Sequence, residues 1–212
     1  LTLARLLKSK YPHLHVTLGG PIFSVNAKQL LGHPEFFEEF CHSIVTFEGE
    51  EPLHRLLTTL KNGSTLKNAP NLLFYDDGNV EFNEERVELR FEEMPPPTFD
   101  GLPMDLYLSP YPILPVLQSR GCYWGKCTFC THSFIYGHRY GKQRTEQMVD
   151  ELESLAEKYK TKYFTFSDEA VSPHSLNDVS EEIIKRDVDI KSLALLKFEK
   201  VMDQELFKKM KQ

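Results

Sequence analysis

The chain predicts an α/β fold, and three observations carry that expectation. Short apolar runs alternate with stretches of helical periodicity, the pattern of parallel strands joined by crossing helices. A proline-rich stretch beginning at Met94 divides this pattern into two parts. Three of the four cysteines, Cys122, Cys127 and Cys130, then follow directly on an apolar run that reads as a strand.

Residues 1–66 form the first part. Leu3, Leu6 and Leu7 lie on one stripe of a helix near 1–10. His13–Leu18 reads as a short strand that ends at Gly19-Gly20-Pro21, and a helix follows near 25–31. Ser43–Phe47 is a second strand, ending at Glu48-Gly49-Glu50-Glu51. Pro52 suits the first turn of the next helix, to about Lys61, because its missing N–H needs no partner there. In a parallel sheet ligands lie beyond the carboxyl ends of the strands, where both glycine motifs fall.

Residues 67–112 read differently. Leu72–Tyr75 and Val80–Phe82 flank Asp76-Asp77-Gly78-Asn79, a hairpin signal in which Gly78 supplies positive φ. Met94-Pro95-Pro96-Pro97 and further prolines at 103, 110 and 112 cannot sustain a helix and predict an extended connector.

From 113 the alternation resumes. Ile113–Gln118 is a strand feeding the cysteine loop. Thr145 is expected to cap a helix carrying Met148, Leu152, Leu155 and Tyr159. Tyr163–Ser167 is a strand ending at Asp168-Glu169, Ser175–Arg186 a helix, and Ser192–Leu196 a strand ending at Lys197. Three βα units in succession can begin a barrel, with its chemistry at the strand carboxyl ends. Asp203 can cap a last helix bearing Leu206, Phe207 and Met210.

Composition narrows the function. With 212 residues, 41% of them hydrophobic, the chain can bury one or two cores. A net charge of −6 offers no basic stripe for a nucleic acid. No apolar run approaches the ~18 residues of a membrane span, and no signal-peptide pattern opens the chain. Clustered cysteines do not read as a disulfide framework, so a reducing compartment, the cytoplasm, is expected. Both ends read as cut from a longer protein, and the chain alone is expected to show no turnover.

Three thiolates on one short loop can hold three irons of a [4Fe–4S] cube and leave the fourth open to a small molecule. Gly121 and Gly125 give the loop freedom, and Tyr123, Trp124 and Phe129 can screen it from water. The same thiols could instead hold structural zinc with His132 or His138 as fourth ligand. Cys41 is remote in sequence and reads as a buried thiol.

Ser119-Arg120-Gly121-Cys122 followed by Cys127-Thr128-Phe129-Cys130 after a strand resembles the cluster loop of radical S-adenosylmethionine (SAM) enzymes. Gly19-Gly20-Pro21 and Glu48-Gly49-Glu50 are similar to the later half of the cobalamin-binding domain that precedes many of them. The resemblance implies the C-terminal half of a Rossmann-like cobalamin-binding domain over 1–66, a hairpin and connector over 67–112, and the first part of a (β/α) radical SAM barrel over 113–212. Four residues separate Cys122 from Cys127, where the family usually has three, and Ser167-Asp168-Glu169 replaces its usual Gly-Gly-Glu.

By the same resemblance, Cys122, Cys127 and Cys130 hold the cluster, whose open iron chelates SAM. An electron passed to the sulfonium releases a 5′-deoxyadenosyl radical. Phe129 lies against the adenine, Asp168 or Glu169 contacts the methionine amine or ribose, and Lys197 contacts the carboxylate or ribose. Gly19, Gly20, Pro21, Glu48, Gly49 and Glu50 face cobalamin, which the chain alone is expected to bind weakly or not at all. The implied activity is C-methylation of a small-molecule or peptide substrate, with an electron donor such as flavodoxin or ferredoxin. Skeletal rearrangement or cyclisation with the same cofactors, and a non-catalytic zinc-stabilised module, are the alternatives.

Overall fold

A computed structural model describes residues 1–85, 87, 90, 94–136 and 139–211. They divide into two compact units, Leu1–Leu89 with Phe134–Gly137, and Arg90–Ser133 with His138–Gln212.

The first unit contains α1 (Thr2–Lys10), β1 (Thr17–Gly19), α2 (Pro21–Val25), α3 (Ala27–Leu30), α4 (Pro34–Phe40), β2 (Ser43–Val45), α5 (Glu50–Lys61), β3 (Leu72–Asp76) and β4 (Asn79–Asn83). Its sheet runs β1-β2-β3-β4, with β1 and β2 parallel and the β3–β4 hairpin antiparallel to β2. The hairpin, set beside the connector on sequence grounds, thus completes the first sheet. Leu73 and Phe74 are buried there, and that burial holds the hairpin on β2.

Other boundaries move as well. β1 is shorter than His13–Leu18 because the Val16 N–H is taken by the His42 imidazole at 2.9 Å, not by a strand partner. The helix expected near 25–31 starts earlier: Gly20 at φ 110° turns the chain, and Pro21 opens α2 without needing a partner for an N–H. Asn26 then separates α2 from α3. α4 is an element absent from the sequence expectation; Pro34 opens it and Phe37 is fully buried. The Cys41 thiol is buried as expected, which pushes its pKa up to about 12.

The second unit contains β5 (Ile113–Val116), β6 (Ser119–Arg120), β7 (Gly141–Lys142), α7 (Thr145–Tyr159), β8 (Tyr163–Val171), α8 (Pro173–Arg186), β9 (Lys191–Leu196) and α9 (Gln204–Lys211); the short α6 (His132–Ile135), after the cysteine loop, falls at the division between the units. The strands β5-β8-β9 form an all-parallel sheet in chain order. Pro115 is tolerated because β5 is an edge strand of this sheet. Leu114, Val116, Phe164 and Phe166 pack against Met148, Val149, Leu152 and Leu155 of α7 and Val179 of α8 in one core. Thr145 is not the cap of α7 but its first residue; Arg144 holds the cap position in an extended conformation, with no side-chain bond. α8 is capped by Ser172, whose Oγ accepts the Ser175 N–H at 3.1 Å, and Pro173 opens it. Within the connector, Phe99 docks on α7 through its N–H, which donates to the Tyr159 hydroxyl at 2.7 Å.

Candidate cofactor site

The cysteine loop leaves β5 at its carboxyl end. A two-residue antiparallel ladder, Ser119 opposite Lys142 and Arg120 opposite Gly141, closes its neck. The Gln143 N–H reinforces this by donating to the Gln118 carbonyl at 2.8 Å. Gly121 stands just inside the neck at φ 84°, where a Cβ would collide with the Arg139 carbonyl oxygen. Gly125 also has positive φ, at 58°.

All three loop cysteines are free thiols, Cys127 exposed and the other two half-buried. Cys127 and Cys130 share one turn, in which the Cys130 N–H donates to the Cys127 carbonyl at 3.2 Å. Among the described residues no group of three or more His, Cys, Asp or Glu is gathered tightly enough to hold a metal ion. The donor chemistry nevertheless fits an iron–sulfur centre: three unpaired soft ligands on one loop. His132 is half-exposed and paired to Glu169 at 2.9 Å, while His138 lies outside the described residues.

The strand ends divide the remaining candidates. Asp168 keeps the phase of Phe164 and Phe166 along β8 and is 1% exposed. Its carboxylate accepts the Ser119 N–H at 2.6 Å, the Gln118 N–H at 3.1 Å and the Ser119 hydroxyl. Burial raises its pKa, while these donors act in the opposite sense. Asp168 therefore pins the root of the cysteine loop, a task sequence reading did not assign to it. Glu169, one residue on, is half-buried and reaches His132.

Lys197, at the end of β9, places its ammonium 3.6 Å from the Trp124 ring centroid and 3.3 Å from Glu199. Phe129 is 88% exposed. Tyr123 donates its hydroxyl to Glu199 at 2.7 Å, and burial foremost, then Glu199, raises its pKa.

In the first unit, parallel pairing of β1 with β2 sets Gly19 beside Val45, so Gly19-Gly20-Pro21 and Glu48-Gly49-Glu50 emerge at one carboxyl edge. Gly49 precedes α5, and Glu50 lies in its first turn, favoured by the helix dipole. Sequence reading missed the residue that ties these loops together. The buried Ser24 hydroxyl accepts the Phe47 N–H at 2.7 Å and donates to the Gly20 carbonyl at 3.4 Å. That grip holds Phe47 at φ 60°, a region costly for a bulky residue. Nothing in the local sequence pattern around Ser24 signals this role.

Each unit thus presents loops at the carboxyl edge of parallel strands, and this defines a mixed α/β protein. No family model matches the chain. In sequence it is 29% identical over 196 residues to an uncharacterized methyltransferase of Pyrococcus horikoshii, covering 89% of this chain and 41% of that protein. It is also 28% identical over 170 residues to the hopanoid C-3 methylase of Methylococcus capsulatus, covering 74% and 30%. In structure it is similar to the cobalamin-dependent SAM radical enzyme OxsB with aqua-cobalamin and SAM bound, at TM-score 0.66 and 23% identity over 88% of this chain and 27% of that one. The radical SAM methyltransferase TsrM from Kitasatospora setae, solved with cobalamin and a [4Fe–4S] cluster, gives 0.62 and 20% over 92% and 40%. The fold read from the sequence is thus shared with these solved structures, and the two relatives in sequence are named as a methyltransferase and a methylase. The chain spans less than half the length of these relatives. No helix among the described residues is long and apolar enough to cross a membrane.

Proposed function

We propose that this chain supplies the cobalamin-facing edge and the cluster loop of a cobalamin-dependent radical SAM C-methyltransferase. One observation carries the reading: three unpaired thiols on a loop at the carboxyl end of β5, in a chain whose relatives include methyltransferases. Cys122, Cys127 and Cys130 are the cluster ligands. To hold the group, the three sulfurs would have to converge, and the loop that carries them would close around it. When bound, the cluster supplies the electron that cleaves SAM.

The chain's own residues position and shield. Asp168 fixes the loop root through Gln118 and Ser119. Phe129 is free of core packing and offers a face for adenine, and Glu169 is the carboxylate available to the methionine amine or ribose. Lys197 reaches the SAM carboxylate only if it leaves Trp124. Cobalamin would approach the β1–β2 edge at Gly19, Gly20 and Pro21 and at Glu48, Gly49 and Glu50, where the three glycines present no Cβ. The substrate is a small molecule or peptide, the electron donor a flavodoxin or ferredoxin, and the setting the reducing cytoplasm.

Anaerobic reconstitution of the full chain with iron and sulfide tests this. A brown protein with charge-transfer absorption, lost in Cys122→Ser, Cys127→Ser and Cys130→Ser, is the expected result. A colourless protein holding stoichiometric zinc would reject it.

A further inference from the structure

The cysteine loop has a second attachment, far from its neck. Tyr123 and Trp124 follow the first cysteine, and both are held by residues just past β9. The Tyr123 hydroxyl donates to Glu199 Oε1 at 2.7 Å. The Lys197 ammonium lies 3.3 Å from that same oxygen and 3.6 Å from the Trp124 ring centroid. Lys126 also approaches this ring, at 5.0 Å, but from within the loop itself. Because the sheet order is β5-β8-β9, a loop that starts on β5 and is gripped beyond β9 passes the carboxyl-terminal part of β8, which carries Glu169.

We propose that Lys197 and Glu199 form a latch that positions the cysteine loop by gripping Trp124 and Tyr123. Both are positioning residues. The physical basis is a closed ring of contacts: the carboxylate accepts from the phenol and pairs with the ammonium, and the ammonium sits over the indole face, where the ring quadrupole attracts it. None of the four side chains is fully exposed, so water competes with each contact only partly. The latch itself is a property of the fold, and only its consequence for a cluster rests on the function proposed above.

Trp124 is the single tryptophan of the chain, so its emission reports the loop without any cofactor. In the cluster-free protein, Lys197→Met is expected to red-shift that emission and raise acrylamide quenching about twofold, as expected for loss of a partly desolvated cation–π contact. Iodoacetamide should alkylate the loop cysteines faster by a similar factor. Lys197→Arg should restore the wild-type values, since a guanidinium stacks on indole. Lys126→Met should have the smaller effect, and Lys191→Met, at the far end of β9, none. Far-UV circular dichroism checks folding; if Lys197→Met unfolds, Tyr123→Phe, which removes only a hydroxyl, gives the same reading. Quenching unchanged in Lys197→Met, or no recovery in Lys197→Arg, would overturn the latch. Failed cluster reconstitution with an intact latch counts against the proposed function alone.

Discussion

Gly121 shows how much one residue can decide in this loop. Its φ of 84° is awkward for any side chain, and the Arg139 carbonyl occupies the space a Cβ needs. Gly121→Ala is therefore expected to cost roughly 2 kcal/mol or more, read as a lowered unfolding midpoint and faster proteolysis between 121 and 140. The sequence suggested flexibility at this glycine; the structure shows a close backbone approach. His15 makes a different demand. Burial foremost, then the nearby His42, lowers its pKa from 6.5 to about 4, and burial lowers His42 as well. Between those values the unfolded chain binds more protons than the folded one, so stability is complete above about pH 6.5 and falls as pH drops toward 4. For a half-exposed imidazole this amounts to about 1 kcal/mol after solvent screening. Denaturant titrations from pH 7 to 4 should show the loss, and His15→Gln should flatten it.

At the scale of elements, β8 has two tasks. Its alternation buries Phe164 and Phe166 against α7, and the same phase carries Asp168 inward to the start of the cysteine loop. Asp168→Ala would strand two backbone N–H groups and a hydroxyl in a buried setting. We expect a loss of about 2–4 kcal/mol in the second unit and faster hydrogen exchange at Gln118 and Ser119. A variant of unchanged stability would remove Asp168 from this role. Strand periodicity made the two faces of β8 legible in the sequence. Which of two adjacent carboxylates serves structure was not legible, because that depends on where β5 ends in space. The missed α4 and the displaced start of α2 have a comparable cause: both depend on proline-opened turns and on buried contacts made elsewhere in the unit.

For the molecule as a whole, apolar side chains stand exposed along one face of the second unit's three-stranded sheet, among the described residues. Leu193 and Leu195 are 70% and 64% exposed on β9, and Ile113 is exposed on β5. Exposed apolar side chains grouped on one sheet face favour association. The chain is expected to bind a hydrophobic dye and to self-associate at rising concentration, and a Leu193→Ser, Leu195→Ser double variant should reduce both in light scattering. By itself the sequence determined the α/β class, the parallel strands, the hairpin turn and the thiol-bearing loop, because periodicity, turn chemistry and cysteine spacing are local properties of a chain. Only the tertiary structure decided that the hairpin closes the first sheet, that Ser24 ties two loops together, that Asp168 roots the cysteine loop, and that Lys197 grips Trp124. Each of these joins residues far apart along the chain, and such pairings are set by strand order and burial, which no local pattern encodes.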